Sequence, residues 1–222
     1  MNTRTFSMKI FRDESGISLI ELLVVMSLLA IVMAAVTGMM VSGMTTQAKI
    51  DARLRAQLDA RQVIYDMEKT MSEANRQDAS GNRPVFGDDM VTFPSQGGTK
   101  WFTYIYTTPP GANSPTIVRK ITTGEPALPV SVTSSDKQMI GLGGDGLTAT
   151  VDRASGGPIF TYYGADGNQI ATDATTHVIT DITTVRSIKV SFETTVSEGH
   201  AQHQPVPVST QIDLRNFNVQ SP

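Results

Sequence analysis

A single glutamate stands near the start of a long apolar segment, and its side chain has the clearest potential for chemistry in this sequence. Glu21 is followed by 27 residues, 22–48, without any charge. An ionised carboxylate at the centre of a bilayer costs about 2.5–3.5 kcal/mol on insertion scales, so ionisable residues in such segments mark functional sites. No Lys, Arg or His lies within this run. Glu21 therefore needs a partner from elsewhere.

The segment around Glu21 is long enough to cross a membrane. Spanning takes about 20 apolar residues, whereas the apolar region of an ordinary signal peptide has about 7–15. The residues 41–43, Val-Ser-Gly, leave cleavage of an ordinary signal peptide as the alternative. The polar leader before it carries charges of both signs, at Arg4, Lys9, Arg12, Asp13 and Glu14.

The short stretch Gly-Ile-Ser-Leu-Ile-Glu, residues 16–21, resembles the class III signal of type IV pilins and type II secretion pseudopilins. The resemblance implies cleavage by a prepilin peptidase between Gly16 and Ile17, on the cytoplasmic side. It also implies methylation of the new N-terminus at Ile17 and makes Glu21 the fifth mature residue. One departure is Ile17 itself, where the family most often has phenylalanine.

The physical chemistry of these three residues agrees with that resemblance. Gly16 has no side chain, so its backbone can enter a narrow protease cleft. Cleavage would create an ammonium group at Ile17, and methylation would keep its charge. Two charges in a low-dielectric helical core are tolerable only as a pair. Glu21 is therefore predicted to bind the Ile17 ammonium of a neighbouring subunit and to act in assembly rather than in catalysis.

A second helical pattern follows the apolar segment. Apolar residues recur every three or four positions, which is the spacing of an amphipathic helix; they are Ile50, Leu54, Leu58, Val63, Met67 and Met71, with Ile64 beside them. No proline occurs between Ile17 and Arg83. We predict one helix from about Ser18 to about Asn75, interrupted at most at Gly38 and Gly43, whose second half offers this stripe to a sheet.

The rest of the chain has the alternation of antiparallel strands. The segments 101–108 and 116–123 predict a hairpin, 158–170 predicts a strand and a turn at Asp166-Gly167, and 185–196 and 206–217 alternate with a period of two. Weaker strands are expected near 128–133, 138–142 and 148–152. The predicted fold is α+β and pilin-like. Its divisions are a leader at 1–16, a membrane and filament-core helix at 17–48, and an extracytoplasmic head at 49–222.

Several kinds of chemistry are disfavoured by composition. The chain has no cysteine and a net charge of −3, which argues against thiol chemistry and nucleic-acid binding. We predict no enzyme, no cofactor and no metal site. His177, His200 and His203 are expected to be solvated, the Gly-rich residues 141–146 lack a phosphate-loop lysine, and no calcium-loop spacing occurs. Trp101 and Tyr104 are expected to pack on the sheet rather than to bind sugar or DNA.

The order of the strand cues in the head also resembles the large J-type minor pseudopilins and related minor pilins. The expected function is a structural, minor subunit of a type IV pilus or pseudopilus. The resemblance implies as partners a prepilin peptidase, other pilin or pseudopilin subunits, an assembly platform protein and the cytoplasmic (inner) membrane. The protein would cross that membrane once, with a cytoplasmic N-terminus, and then enter an extracellular or periplasmic filament. The alternative is a binding module, with an adhesin-like or DNA-capturing head on the same anchor.

Overall fold

The computed structural model describes residues 18–140, 147–198, 201–202 and 205–217. Contacts divide the chain into two units, Met1–Ala48 and Lys49–Pro222. The described part of the first unit is helical, and the second unit combines helix with two antiparallel sheets. The predicted α+β fold is confirmed.

Helix α1 runs without a break from Leu19 to Ser72. The prediction of one long helix is therefore confirmed, and neither Gly38 nor Gly43 interrupts it. Its apolar half contains few polar side chains, and two of their hydroxyls donate to carbonyls about one turn earlier: Ser27 to Val24 at 2.8 Å and Thr37 to Met33 at 2.8 Å. Such back-bonding satisfies a hydroxyl that hydrocarbon would leave without a partner.

The face of α1 that packs on the head differs from the predicted one. Val63, Met67 and Met71 are buried as expected, but the turns before them bury small residues, Ala52, Ala56 and Ala60. Ala52 and Ala56 pack against Val206 and Val208. The predicted contacts of Ile50, Leu54 and Leu58 with the sheet are wrong.

These three residues face away from the head. Ile50, Leu54 and Leu58 are 54%, 51% and 63% exposed, and Tyr65, about two turns further on, is 69% exposed. We call these four residues the outer stripe. With about 3.6 residues per turn, the outer stripe lies roughly on the opposite side of α1 from Val63 and Met67. The helix has two apolar faces, and the sheets cover the one with the smaller side chains because it allows a closer approach.

The first sheet has five strands in chain order, each antiparallel to the next. They are β1 (Val85–Phe86), β2 (Met90–Pro94), β3 (Lys100–Thr107), β4 (Thr116–Thr123) and β5 (Lys137–Gln138). Strands β3 and β4 form the predicted hairpin, with Trp101 opposite Thr122. Trp101 and Tyr104 are fully buried, which confirms their predicted packing.

The second sheet is built around one long strand, β9 (Val185–Glu198). Along one edge of β9 lie β6 (Leu147–Arg153) and β7 (Phe160–Gly164), and along the other lie β10 (Ala201–Gln202) and β11 (Val206–Asp213). Strand β8 (Gln169–Ile170) pairs with β7 after a turn in which Asp166 accepts a hydrogen bond from the N–H of Asn168 at 3.0 Å. The predicted turn at Asp166-Gly167 is therefore confirmed.

Two parts of the strand prediction need correction. Strands β1 and β2 were not predicted, because β1 is only two residues long and its pairing depends on β2. No strand forms at 128–133; the carbonyl of Ser131 accepts a hydrogen bond from Lys120 Nζ at 2.6 Å instead of joining a ladder. The residues of that segment alternate, but their backbone pairs with no strand of the described part of the chain.

The core lies where α1 meets both sheets. Met67 and Met71 pack among aromatic and branched residues from each sheet, including Phe86, Phe93, Tyr104, Phe160, Tyr162 and Phe192. Phe86 and Tyr162 stack with ring centroids 5.3 Å apart, and the Tyr162 hydroxyl donates to the carbonyl of Gly87 at 2.6 Å. These contacts join the first sheet to the second, so the helix packs on a single core.

Replacing Thr194 with valine should stabilise the head. Thr194 is fully buried on β9, and among the described residues its hydroxyl has no hydrogen-bond partner. Valine keeps the shape and removes a desolvated polar group, which is worth about 1–2 kcal/mol in the free energy of unfolding. The measurement is urea unfolding of the full chain in detergent.

Thr92→Val is the matched control for this prediction. Its hydroxyl is also buried, but it bonds the Thr103 hydroxyl at 2.8 Å. Valine there leaves Thr103 without that partner, so stability should fall by about 1 kcal/mol. A loss of stability in Thr194→Val equal to that of the control would contradict the idea that Thr194 lacks a partner.

Candidate functional site

The site predicted from the sequence lies at the start of α1. Gly16 and Ile17 lie outside the described residues. Glu21 lies in the first turn of α1, and its side chain is exposed. A carboxylate is favourable in a first helical turn, because the N–H groups there have no partner within the helix and the helix dipole is positive.

Ser18 and Glu21 also have the spacing of a capping box, a signal that the sequence reasoning missed. In that motif the serine side chain and the glutamate side chain each bond the other residue's N–H. Ser18 directly precedes α1, and its carbonyl accepts the first backbone hydrogen bond, from Leu22 N at 3.1 Å. Glu21 can therefore help to cap the N-terminus of its own helix, besides any role in pairing with another chain.

The surface of the first unit suits a membrane. Helix α1 is long and apolar enough to cross a bilayer, and none of its most apolar window is buried within the structure. Every residue from Ser18 to Gln47 is exposed. Water would disfavour such a surface, since burial of apolar area is worth roughly 25 cal/mol per Å². Lipid or other helices are therefore its natural surroundings.

A polar cluster fastens the later turns of α1 to the first sheet. Arg119 on β4 donates from Nη1 to both carboxylate oxygens of Asp66, at 2.6 and 2.7 Å. The Tyr104 hydroxyl donates to Asp66 at 2.9 Å and lies 2.6 Å from the hydroxyl of Thr70. Burial raises the pKa of Tyr104 well above its ordinary value, which keeps its proton available for this bond. The cluster holds the helix by directional bonds as well as by packing.

The chain leaves the helix through a turn organised by Asp78. Its carboxylate accepts hydrogen bonds from the N–H groups of Ser80 and Asn82, both at 2.8 Å. Burial opposes ionisation, but these bonds prevail and hold the pKa of Asp78 below its usual range. Gly81 takes a φ of +87°, which favours glycine. This turn follows α1, which was predicted to end near Asn75 and ends at Ser72.

The residues considered for metal or phosphate binding are the three histidines and the Gly-rich residues 141–146. His200, His203 and the residues 141–146 lie outside the described part. His177 is exposed, and its Nδ1 lies 2.9 Å from an oxygen of Asp88. Within the described ranges, no group of three or more His, Asp or Glu side chains is arranged to hold a metal ion. The His177–Asp88 contact joins the loop before β2 to the loop after β8.

Comparison with known protein families finds a match near the N-terminus of the chain. No curated protein and no solved structure matches the chain. Residues 11–37 match the family model of the prokaryotic N-terminal methylation motif, the class III signal peptide of type IV pilins. The match spans the predicted junction, Glu21 and the first half of the apolar run. Together with the apolar helix it supports anchoring in a membrane, and it supports a type IV pilin-like protein.

Proposed function

We propose that this chain is a structural subunit, of the minor class, in a type IV pilus or pseudopilus. A prepilin peptidase removes the leader between Gly16 and Ile17, and Ile17 is then methylated. The mature protein stays anchored in the cytoplasmic membrane as a single-pass subunit until assembly. It then enters a filament through α1, with Glu21 meeting the Ile17 ammonium of a neighbour.

The observation that carries this proposal is the methylation motif at residues 11–37 followed by an unbroken α1. The motif supports processing by a prepilin peptidase, and the helix is an anchor that needs lipid or other helices around it. The second half of α1 is locked to the head by Asp66 and its partners.

The subclass rests on the head. Its strand order, an aromatic β3, then β4, the β7–β8 turn and the long β9, resembles that of J-type minor pseudopilins and related minor pilins. The partners in this proposal are other pilin-type helices, the assembly platform protein and the peptidase.

Processing is the direct test. Co-expression with a prepilin peptidase should yield a mature chain of 206 residues, the 222 of the full sequence less the 16 of the leader. Intact mass should place the N-terminus at Ile17, with one added methyl group. A catalytically inactive peptidase is the control and should leave Met1 at the N-terminus. A mature chain that starts near Met44 would identify an ordinary signal peptide and sink the proposal.

A further inference from the structure

A cavity of about 250 Å³ opens on the second unit beside the start of β7. Its walls come from three parts of the chain: the loop before β2, strand β7, and strand β8 with the residues that follow it. Pro158, Ile170 and Ala171 give the walls apolar surface, and Asp88 gives them a carboxylate. An apolar cavity with a few well-placed polar groups is the usual form of a ligand site.

Asp88 is held in place at this cavity through both its backbone and its side chain. Its N–H donates to the carbonyl of His177 at 3.1 Å, and its carbonyl accepts from the N–H of Phe160 at 3.0 Å. One carboxylate oxygen accepts from the Thr172 hydroxyl at 2.8 Å, and the other lies 2.9 Å from His177 Nδ1. A carboxylate has about four acceptor positions, so these two contacts leave it able to accept further donors.

The neighbouring arginine does not neutralise the charge of Asp88, because it is engaged elsewhere. Arg153 Nη2 donates to Asp89, and its guanidinium carbon lies 5.6 Å from the centre of the Tyr106 ring. The ionisable side chain that touches Asp88 within the described residues is His177. That side chain is 68% exposed, and water weakens an ion pair at such a site even when the imidazole is charged. The cavity therefore presents a fixed and largely uncompensated negative charge.

An ammonium group on an apolar stem matches this cavity best. The ammonium group has three donors and no acceptor, which suits a carboxylate and the hydroxyls of Thr161 and Thr172 that line the cavity. Hydrogen bonds between charged groups are also stronger than neutral ones. The stem would cover the apolar surface of Pro158 and Ile170, which is favourable in water. An anion would be repelled by Asp88, and an uncharged apolar ligand would bury its carboxylate without replacing the bonds to water.

We propose that this cavity binds a primary ammonium group carried on an alkyl stem, and that Asp88 recognises its charge. The ammonium group bonds the free acceptor positions of the Asp88 carboxylate, and the stem lies against Pro158 and Ile170. A lysine side chain of another protein and a free alkylamine share this chemistry. Binding requires neither removal of the leader nor entry into a filament, so the site is independent of the proposed function.

Titration of the full chain in detergent with butylammonium chloride tests this proposal. The NMR signal of the Ile170 methyl group reports binding at the cavity wall, and that of Ile212 on β11 is the reference outside it. The Ile170 signal should shift saturably, with a Kd on the order of 1 mM for so small a ligand. 1-Butanol has the same stem without the charge and should bind about tenfold more weakly or less. Equal binding of 1-butanol, or no saturable shift with butylammonium, would overturn the proposal.

The amide of Nα-acetyl-lysine distinguishes the two sources of the ligand. It carries the same ammonium group on the same length of stem, with a peptide backbone attached. Tighter binding than butylammonium would support a lysine side chain of a protein partner. Equal or weaker binding would support a free alkylamine.

Two variants test the cavity itself. Asp88→Asn keeps the size of the side chain but removes its charge, so butylammonium should bind about tenfold more weakly or less. Ala171→Leu places a larger side chain in the cavity from an exposed position of its wall and should also weaken binding. Asp213→Asn, at an exposed carboxylate on β11, is the matched control and should bind as wild type does.

Thermal unfolding of each variant reports whether the head still folds. Wild-type affinity in Asp88→Asn would overturn the proposal. If Asp88→Asn does not fold, because the loop contacts of Asp88 are lost, Ala171→Leu decides, and wild-type affinity in that variant would overturn the proposal in the same way.

Discussion

Replacing Glu21 with valine should leave the protein in the membrane but keep it out of filaments. The substitution removes a charge from an apolar helix, so insertion should be unchanged or easier. In the proposed assembly it also leaves the Ile17 ammonium of the neighbouring subunit without its partner. Breaking a buried ion pair from one side costs about 3–5 kcal/mol, which is a factor of 100 or more in a binding equilibrium. Tagged variants are fractionated into membrane and sheared-filament pools.

Glu21→Gln separates the two roles that the structure allows for this residue. Glutamine can replace glutamate in a capping box, because its side-chain carbonyl still accepts the N–H bond. It cannot neutralise an ammonium group. We therefore expect Glu21→Gln to match Glu21→Val in its assembly defect, with N-terminal mass as the control for processing. Filament entry of Glu21→Gln at the wild-type level would show that the carboxylate acts only as a helix cap.

Asp66→Ala should destabilise the head strongly for a residue that is only partly buried. Arg119 would lose both of its bonds to the carboxylate, and its Nε is buried with no partner among the described residues. The Arg119 and Asp66 side chains are 18% and 26% exposed, so the loss belongs at the low end of the range for buried pairs, about 3 kcal/mol. Urea unfolding in detergent measures it.

Three further variants make the Asp66 result specific. Tyr104→Phe keeps the packing and removes one hydrogen bond, so it should cost about 1 kcal/mol. Asp66→Ala with Arg119→Met should recover part of the loss, because no uncompensated charge remains. Glu68→Ala, an exposed site on the same helix, should stay within about 0.5 kcal/mol of wild type. Equal losses for Asp66→Ala and Glu68→Ala would contradict an anchoring role for the cluster.

Local patterns made much of this protein predictable. The long helix follows from an unbroken run of helix-forming residues without proline, and each of its hydrogen bonds joins residues only four apart. Strand β9 follows from strict alternation, with Ile188, Val190 and Phe192 all buried. The residues of the proposed processing and assembly site, Gly16 to Glu21, are neighbours in sequence. A motif of that kind needs no tertiary structure to bring it together.

The features that the sequence analysis did not predict depend on contacts between distant parts of the chain. The Asp66–Arg119 pair joins residues 53 positions apart, and neither residue belongs to a recognisable motif. The short strands β1 and β2 depend on neighbours for their pairing. Two sheets rather than one surround the core. The sequence could not indicate this, because alternation within a segment does not reveal which strand edges pair.

An N-terminal methylation motif, a membrane-length helix and a head of antiparallel strands could all be predicted from the sequence, since each depends on residues close together in the chain. The tertiary structure alone decided which face of α1 the head covers. Hydrophobicity favoured Ile50, Leu54 and Leu58, yet the sheets pack on Ala52, Ala56 and Ala60. Small side chains let Val206 and Val208 approach the helix closely. The larger residues remain outside, because a helix with two apolar faces can bury only one of them against a single head.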